Sequence, residues 1–105
     1  MRRAAWLLAC ALLGATGGHA AGLQVVPPLA ARVTDVTGTL SAAEQAALEQ
    51  KLAAFEARKG AQVAVLVVAT TAPEAIEQYS IRVVESWRLG RAQPDDGALL
   101  LIARD

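Results

Sequence analysis

Residues 62–69 read QVAVLVVA and decide the fold, because this valine-rich run is apolar at almost every position. Such a strand is typical of a parallel sheet, in which helices cover both faces. A second apolar run, ALLLIA, follows at residues 98–103. We therefore predict two buried parallel strands, one in each run.

The segment between these strands has helical spacing. Thr71 and Glu74 predict a capping box at its start, and Gly90 predicts its end. Strand, helix and strand make one βαβ unit, whose crossover is expected to be right-handed. The predicted inner stripe of the helix comprises Ile76, Tyr79, Val83 and Trp87.

An earlier helix is predicted over residues 42–59. Ser41 and Glu44 form a capping-box pattern at its start, and Gly60 is a natural stop at its end. Residues 33–40, which read VTDVTGTL, are rich in turn-forming types and are predicted to be a loop. The apolar face of the helix is predicted from Leu48, Leu52 and Phe55.

Residues 1–20 have the pattern of a secretory signal peptide. Arg2 and Arg3 precede an apolar run that is too short to span a bilayer, and Ala20 is a suitable residue before the cleavage site. We expect an exported, periplasmic or otherwise extracytoplasmic protein. Residues 21–32 are predicted to be a linker, since the Pro27-Pro28 pair favours an extended arm.

Cleavage after Ala20 would remove Cys10 and His19, the only cysteine and the only histidine. The remainder cannot build a Ser-His-Asp triad, a cysteine nucleophile or a zinc site with His or Cys ligands. It would also carry two more acidic than basic residues, which argues against nucleic-acid binding. The chain has no Gly-rich phosphate loop, so no nucleotide-binding motif is present.

Five pieces in order resemble the TPM domain family of photosystem-maintenance and bacterial exported proteins. The resemblance covers Val33 to Asp105, the N-terminal half of the domain in that family. The pieces are Val33-Thr34-Asp35 with Gly38, the Glu44 helix, Gly60 to Val65, Tyr79 with Glu85 to Gly90, and Asp95-Asp96-Gly97 with the apolar run after it.

The resemblance implies a Rossmann-like three-layer α/β/α sandwich, here expected to be truncated after the first βαβ unit. It also implies two kinds of biochemistry. Some members are described as acid phosphatases and some bind calcium, whereas others serve the assembly or repair of membrane protein complexes. Many members are anchored in a membrane by a helix beyond the domain, and we expect the same of a missing C-terminal region.

Three acids are the candidate metal ligands, namely Asp35, Asp95 and Asp96. Clustered carboxylates are the ligands that Ca²⁺ and Mg²⁺ prefer, and such a cation activates water and polarises phosphoryl groups. The alternative is structural, because Asp35 also suits the Thr37-Gly38 turn, and the acidic pair suits a turn into a strand.

Topology argues that the three acids do not form one site. Asp95 and Asp96 precede a parallel strand and are expected at the amino edge of the sheet, whereas Asp35 is expected at the carboxyl edge. Ligands of open α/β sheets usually bind beyond the carboxyl ends of the strands. Asp35, Thr70 and Thr71 are therefore better placed than the acidic pair.

Overall fold

The computed structural model describes residues 22–90 and 97–105. The predicted signal peptide and the pair Asp95-Asp96 lie outside the described residues. The elements in chain order are β1 (Val33–Asp35), α1 (Ala42–Lys59), β2 (Gln62–Val68), α2 (Ile76–Trp87) and β3 (Gly97–Ala103).

The three strands form one parallel sheet in the order β1-β2-β3. Asp35 is in register with Val67, and Ala103 is in register with Val68, so the carboxyl ends of all three strands meet at one edge. Gly97 is in register with Gln62 at the opposite, amino edge. The predicted α/β class is confirmed.

Alternate residues of β2 point to opposite faces of the sheet, and each set packs against a different helix. The two helices therefore cover opposite faces. On one face, β2 and β3 pack against α2 around Leu66, Tyr79 and Val83, which are all fully buried. On the other face, Val65 and Val67 pack with Val33 against Leu48 and Leu52 of α1. Helix, sheet and helix make the three layers of an α/β/α arrangement.

The predicted bounds of α1 are confirmed. The Ser41 hydroxyl accepts from the amide of Glu44, and the Glu44 carboxylate accepts from the amide of Ser41, which completes the capping box. Gly60 ends the helix in the left-handed conformation at φ 73°. Local sequence rules were sufficient here, since every capping partner lies within one turn of the helix end.

The loop predicted for residues 33–40 was wrong at its start, because Val33–Asp35 forms β1 and adds a second βαβ unit. Val33 is buried, and the three residues pair in parallel with residues 65–67 of β2. The outer edge of β1 is held by α1, since the Glu49 carboxylate accepts from the amide of Val33 at 2.9 Å. Three residues are too few to show strand alternation, so only tertiary pairing reveals this strand.

The predicted start of α2 was also wrong. The helix begins at Ile76, and its N-cap, Ala75, makes no side-chain capping hydrogen bond. The Thr71 hydroxyl donates instead to the carbonyl of Glu74, and the Glu74 carboxylate pairs with Arg82. Both expected capping side chains are thus used elsewhere, and Ile76, predicted to face the core, is 43% exposed.

Among the residues that the structure describes, no helix is both long enough and apolar enough to cross a membrane.

Candidate functional site at the carboxyl edge of the sheet

Asp35 lies at the carboxyl end of β1, at the edge where open α/β sheets usually bind ligands. The next residue, Val36, continues the ladder by donating its amide to the carbonyl of Val67 at 3.1 Å. The chain then turns through Gly38, which has φ 70°, and reaches the start of α1. Asp35 therefore sits where the backbone leaves the sheet.

The carboxylate of Asp35 organises the loop that follows it. Oδ1 accepts from the amide of Thr37 at 2.9 Å and from the Thr37 hydroxyl at 2.7 Å. Oδ2 accepts from the amide of Leu40 at 2.7 Å. The Leu40 amide and the Thr37 hydroxyl are the main causes that lower the pKa of Asp35 from its ordinary 3.8 to about 2.

A carboxyl group with this pKa is ionised over the whole physiological range. It is a weak base and holds no proton near neutral pH, so it is poorly suited to general acid or base catalysis. A fixed negative charge instead suits an electrostatic role or cation binding. Three of its roughly four lone-pair sites are taken by the loop, which leaves room for about one further contact.

Thr70 and Thr71 follow β2 at the same edge. The Thr70 hydroxyl accepts from the amide of Ala72 at 3.0 Å. The Thr71 side chain is buried, and its hydroxyl donates to the carbonyl of Glu74 at 3.1 Å. Both hydroxyls thus shape the turn that leads to α2, as Asp35 shapes the turn that leads to α1.

The described residue next to Asp95 and Asp96 lies far from Asp35. Gly97, the first described residue after the pair, is in register with Gln62, five residues along β2 from the partner of Asp35. At about 3.3 Å per residue, this is ~16 Å along the strand. In residues 22–90 and 97–105, no three His, Cys, Asp or Glu side chains group so as to hold a metal ion. A site that includes Asp95 or Asp96 stays a prediction.

A cavity of about 280 Å³ lies at the carboxyl edge, and its lining is almost entirely apolar. Val36, Val68 and Thr70 provide the strand ends, and Tyr79 contributes from α2. Strand alternation puts Val36 and Asp35 on opposite faces of the sheet, so the cavity is separate from the carboxylate. Its remaining lining residues are Gln24, Val25, Pro27 and Ala69.

The contribution of residues 22–28 to this edge was not predicted. Tyr79 and Trp87 are buried, as the helical stripe predicted, but their polar tips bind this segment. The Tyr79 hydroxyl donates to the carbonyl of Val25 at 2.9 Å, and the Trp87 Nε1 donates to the carbonyl of Pro27 at 2.7 Å. Buried tyrosine and tryptophan side chains usually have a hydrogen-bond partner for their polar atom. The predicted burial of Tyr79 and Trp87 could therefore have indicated that another segment supplies such partners.

The parallel sheet, with one helix layer on each face and its polar loops at the carboxyl edge, defines a three-layer α/β domain. The model of the TPM domain family matches residues 33–105, well over half of the chain. The protein therefore belongs to the TPM domain family, and the resemblance seen in the sequence is confirmed. A comparison with curated proteins found none that matches the chain.

Proposed function

We propose that this protein is an exported TPM-domain protein with phosphatase-like activity that depends on Ca²⁺ or Mg²⁺. The name of the family model, TPM phosphatase, supports the reaction class. The arginine-led apolar run at residues 1–20 supports export to the periplasm or another extracytoplasmic space. The proposed substrate class is phosphate monoesters.

The single observation that carries this proposal is the state of Asp35. It is ionised, held in one orientation by three hydrogen bonds, and placed at the carboxyl end of a parallel strand. A carboxylate whose pKa is about 2 keeps its charge in an acidic medium, which suits an acid phosphatase. Its weak basicity assigns it an electrostatic role and not proton transfer.

Asp35 fits a hard cation as one ligand, through the acceptor capacity that its loop leaves free. Ca²⁺ takes six to eight oxygens and Mg²⁺ takes six, so other groups and water would complete the shell. A bound cation would polarise a phosphoryl oxygen and would lower the pKa of a water molecule bound to the cation. The contribution of this chain is the fixed charge and orientation of the carboxylate.

The test is hydrolysis of p-nitrophenyl phosphate by the full chain at pH 5 and pH 7. Each assay is run with Ca²⁺, with Mg²⁺ and with a chelator. Asp35→Asn is expected to lower turnover by roughly tenfold or more, the scale on which metal sites respond to loss of a supporting group. Asp95→Asn and Asp96→Asn test the acidic pair separately.

Two controls separate charge from folding. Thr37→Val removes one hydrogen bond to Asp35 but leaves the carboxylate, so it should lower stability more than turnover. Glu85→Gln removes a charge from the exposed side of α2 and should leave turnover unchanged. Turnover that is absent in the wild type, or equal in the wild type and Asp35→Asn, would overturn the proposal.

A second candidate function is a non-catalytic domain that binds membrane protein complexes. The observation that favours it is the apolar surface of β3 on the α1 side, where Leu100 is 55% exposed and Ile102 is 43% exposed. Nearby, a groove of about 500 Å³ between α1 and β2 is lined by Leu48, Phe55 and Val63. Strand alternation puts Leu100 and Ile102 on one face, and an apolar patch on a protein surface often marks an interaction site.

Photo-crosslinking from Ala98, an exposed position on the same face of β3 as Leu100 and Ile102, tests this second function in native membranes. Leu100→Thr with Ile102→Thr should abolish a defined crosslink, because it removes the apolar contact. Ile81→Thr, at a 52% exposed position of α2, is the matched control and should keep it. Crosslinks only between copies of the chain, or crosslinks that the double variant retains, would exclude this function.

A further inference from the structure

Residues 22–28 are held against α2 by side chains whose donors point at backbone carbonyls. Besides the bonds from Tyr79 and Trp87 to Val25 and Pro27, Arg82 Nη2 donates to the carbonyl of Gln24 at 2.8 Å. The side-chain Nε2 of Gln24 in turn donates to the carbonyl of Ala72 at 2.9 Å. The segment thus has four directed contacts within a few residues.

The donors themselves are fixed in place. The Arg82 guanidinium binds the Glu74 carboxylate through Nε and Nη2, with a shortest distance of 2.8 Å. It also lies over the Tyr79 ring, 5.3 Å from the ring centre, which is within the range of a cation–π contact. Burial raises the pKa of Tyr79, so its hydroxyl keeps the proton that it donates.

The same segment forms one side of the apolar cavity at the carboxyl edge. Gln24, Val25 and Pro27 line it together with Val36 and Val68. Val26 packs against the core, but Leu23 is 46% exposed and Val25 is 82% exposed, so hydrogen bonds to backbone carbonyls provide much of the attachment of the segment. A segment held by a few hydrogen bonds opens at a lower free energy than the core does.

We propose that residues 22–28 form a strap, latched to α2 by Tyr79, Arg82 and Trp87, whose release opens the apolar cavity at the carboxyl edge of the sheet. The family match begins at residue 33, so the strap is a device outside the matched region. The proposal is independent of the phosphatase-like function, because the cavity and Asp35 lie on different faces of the sheet.

Thiol labelling of the full chain tests the strap. Cys10→Ser removes the only cysteine, and Val68→Cys then places a reporter in the cavity lining, at a position that is 6% exposed. The rate of reaction with a maleimide is measured under native conditions. Tyr79→Phe should raise this rate roughly fivefold and Tyr79→Phe with Arg82→Gln more, the scale expected for lost hydrogen bonds.

Two controls distinguish strap release from global unfolding. Ser80→Ala removes a hydroxyl of α2 that bonds only its own helix, at Glu77, and should leave the rate unchanged. A reporter at Leu66→Cys lies in the sheet centre, fully buried and outside the cavity lining, and should not be accelerated by the latch variants. Equal acceleration at both reporters, or none at Val68→Cys, overturns the proposal.

A second readout covers the case in which the cysteine variants fail to fold. With Trp6→Phe, Trp87 is the only tryptophan, and its indole donates directly to the strap. Tyr79→Phe does not alter the indole itself, yet strap release should shift its emission to longer wavelength and increase quenching by acrylamide. Unchanged emission and quenching in that variant would contradict the strap.

Discussion

At the residue scale, Asp35 shows how one carboxylate both closes a loop and sets its own chemistry. Two backbone amides and one hydroxyl converge on it, and these bonds favour the charged form. The structural and the functional alternatives for this residue therefore share one cause. The hydrogen bonds that stabilise the turn also keep Asp35 negatively charged until the pH falls to about 2.

Asp35 predicts a specific dependence of stability on pH. Its pKa is lowered in the folded state to about 2, against an ordinary 3.8. Its contribution to the free energy of unfolding is therefore complete above the unfolded pKa and is lost as pH falls from about 4 through about 2. Urea unfolding at a series of pH values from 6 to 2 measures this loss.

Asp35→Asn should flatten that part of the profile, since it removes the titrating group. Thr37→Val should give an intermediate slope, because one of the bonds that lower the pKa is gone. Profiles with the same acid slope in all three proteins would show that Asp35 is not the linked group.

At the scale of elements, the start of β3 lies very close to the backbone that follows α2. A Cβ at Gly97 would lie 2.6 Å from the amide nitrogen of Gly90 and 2.7 Å from the carbonyl carbon of Leu89. The amide of Gly90 also donates to the Gln62 side chain at 3.1 Å. The glycine after the acidic pair is thus required by packing, besides its suitability for a turn.

Gly97→Ala is expected to lower the free energy of unfolding by about 1–3 kcal/mol or more, the usual cost of overpacking. The clash is with backbone atoms, which cannot rotate away as a side chain could. Ala98→Ser changes the adjacent, exposed position and should stay within about 0.5 kcal/mol of wild type. Urea unfolding checks both, and equal stabilities would show that β3 can shift.

At the scale of the whole molecule, the two helices cover the sheet unequally. Helix α2 packs on β2 and β3, whereas α1 packs on β1 and β2. The α1 side of β3 therefore keeps Leu100 and Ile102 in contact with solvent, and the prediction that residues 98–103 form a buried strand was wrong on this face. On the α2 side, Leu99 and Leu101 are partly buried. Leu100 and Ile102 of β3 thus lie on the part of the sheet that α1 leaves uncovered.

This asymmetry predicts that stability and association respond to different positions. Leu66→Ala, in the fully buried centre, should cost about 2–5 kcal/mol. Leu100→Thr with Ile102→Thr should cost about 1 kcal/mol or less, because both side chains already contact water. Light scattering should show less self-association of the double variant, and increased association would contradict the assigned exposure.

The sequence by itself determined the elements whose signals are local. These signals are the capping box at Ser41, the left-handed stop at Gly60 and the valine-rich run of β2. Each one involves only residues that are close together in the sequence. These signals, with the ordered motifs from Val33 onward, were sufficient for the α/β class and the TPM domain family. They also placed Asp35 at the carboxyl edge, because α1 ends directly before β2 at the amino edge and must therefore begin near the opposite edge.

Only the tertiary structure decided what depends on partners distant in sequence. Strand β1 exists because Val33–Asp35 pairs with β2, and the strap exists because Tyr79 and Trp87 reach carbonyls more than fifty residues away. Helix α2 begins later than predicted because the Glu74 carboxylate, which was expected to cap the helix, accepts from Arg82 instead. The physical reason is common to all three, since a hydrogen bond is satisfied by whichever partner the fold brings near.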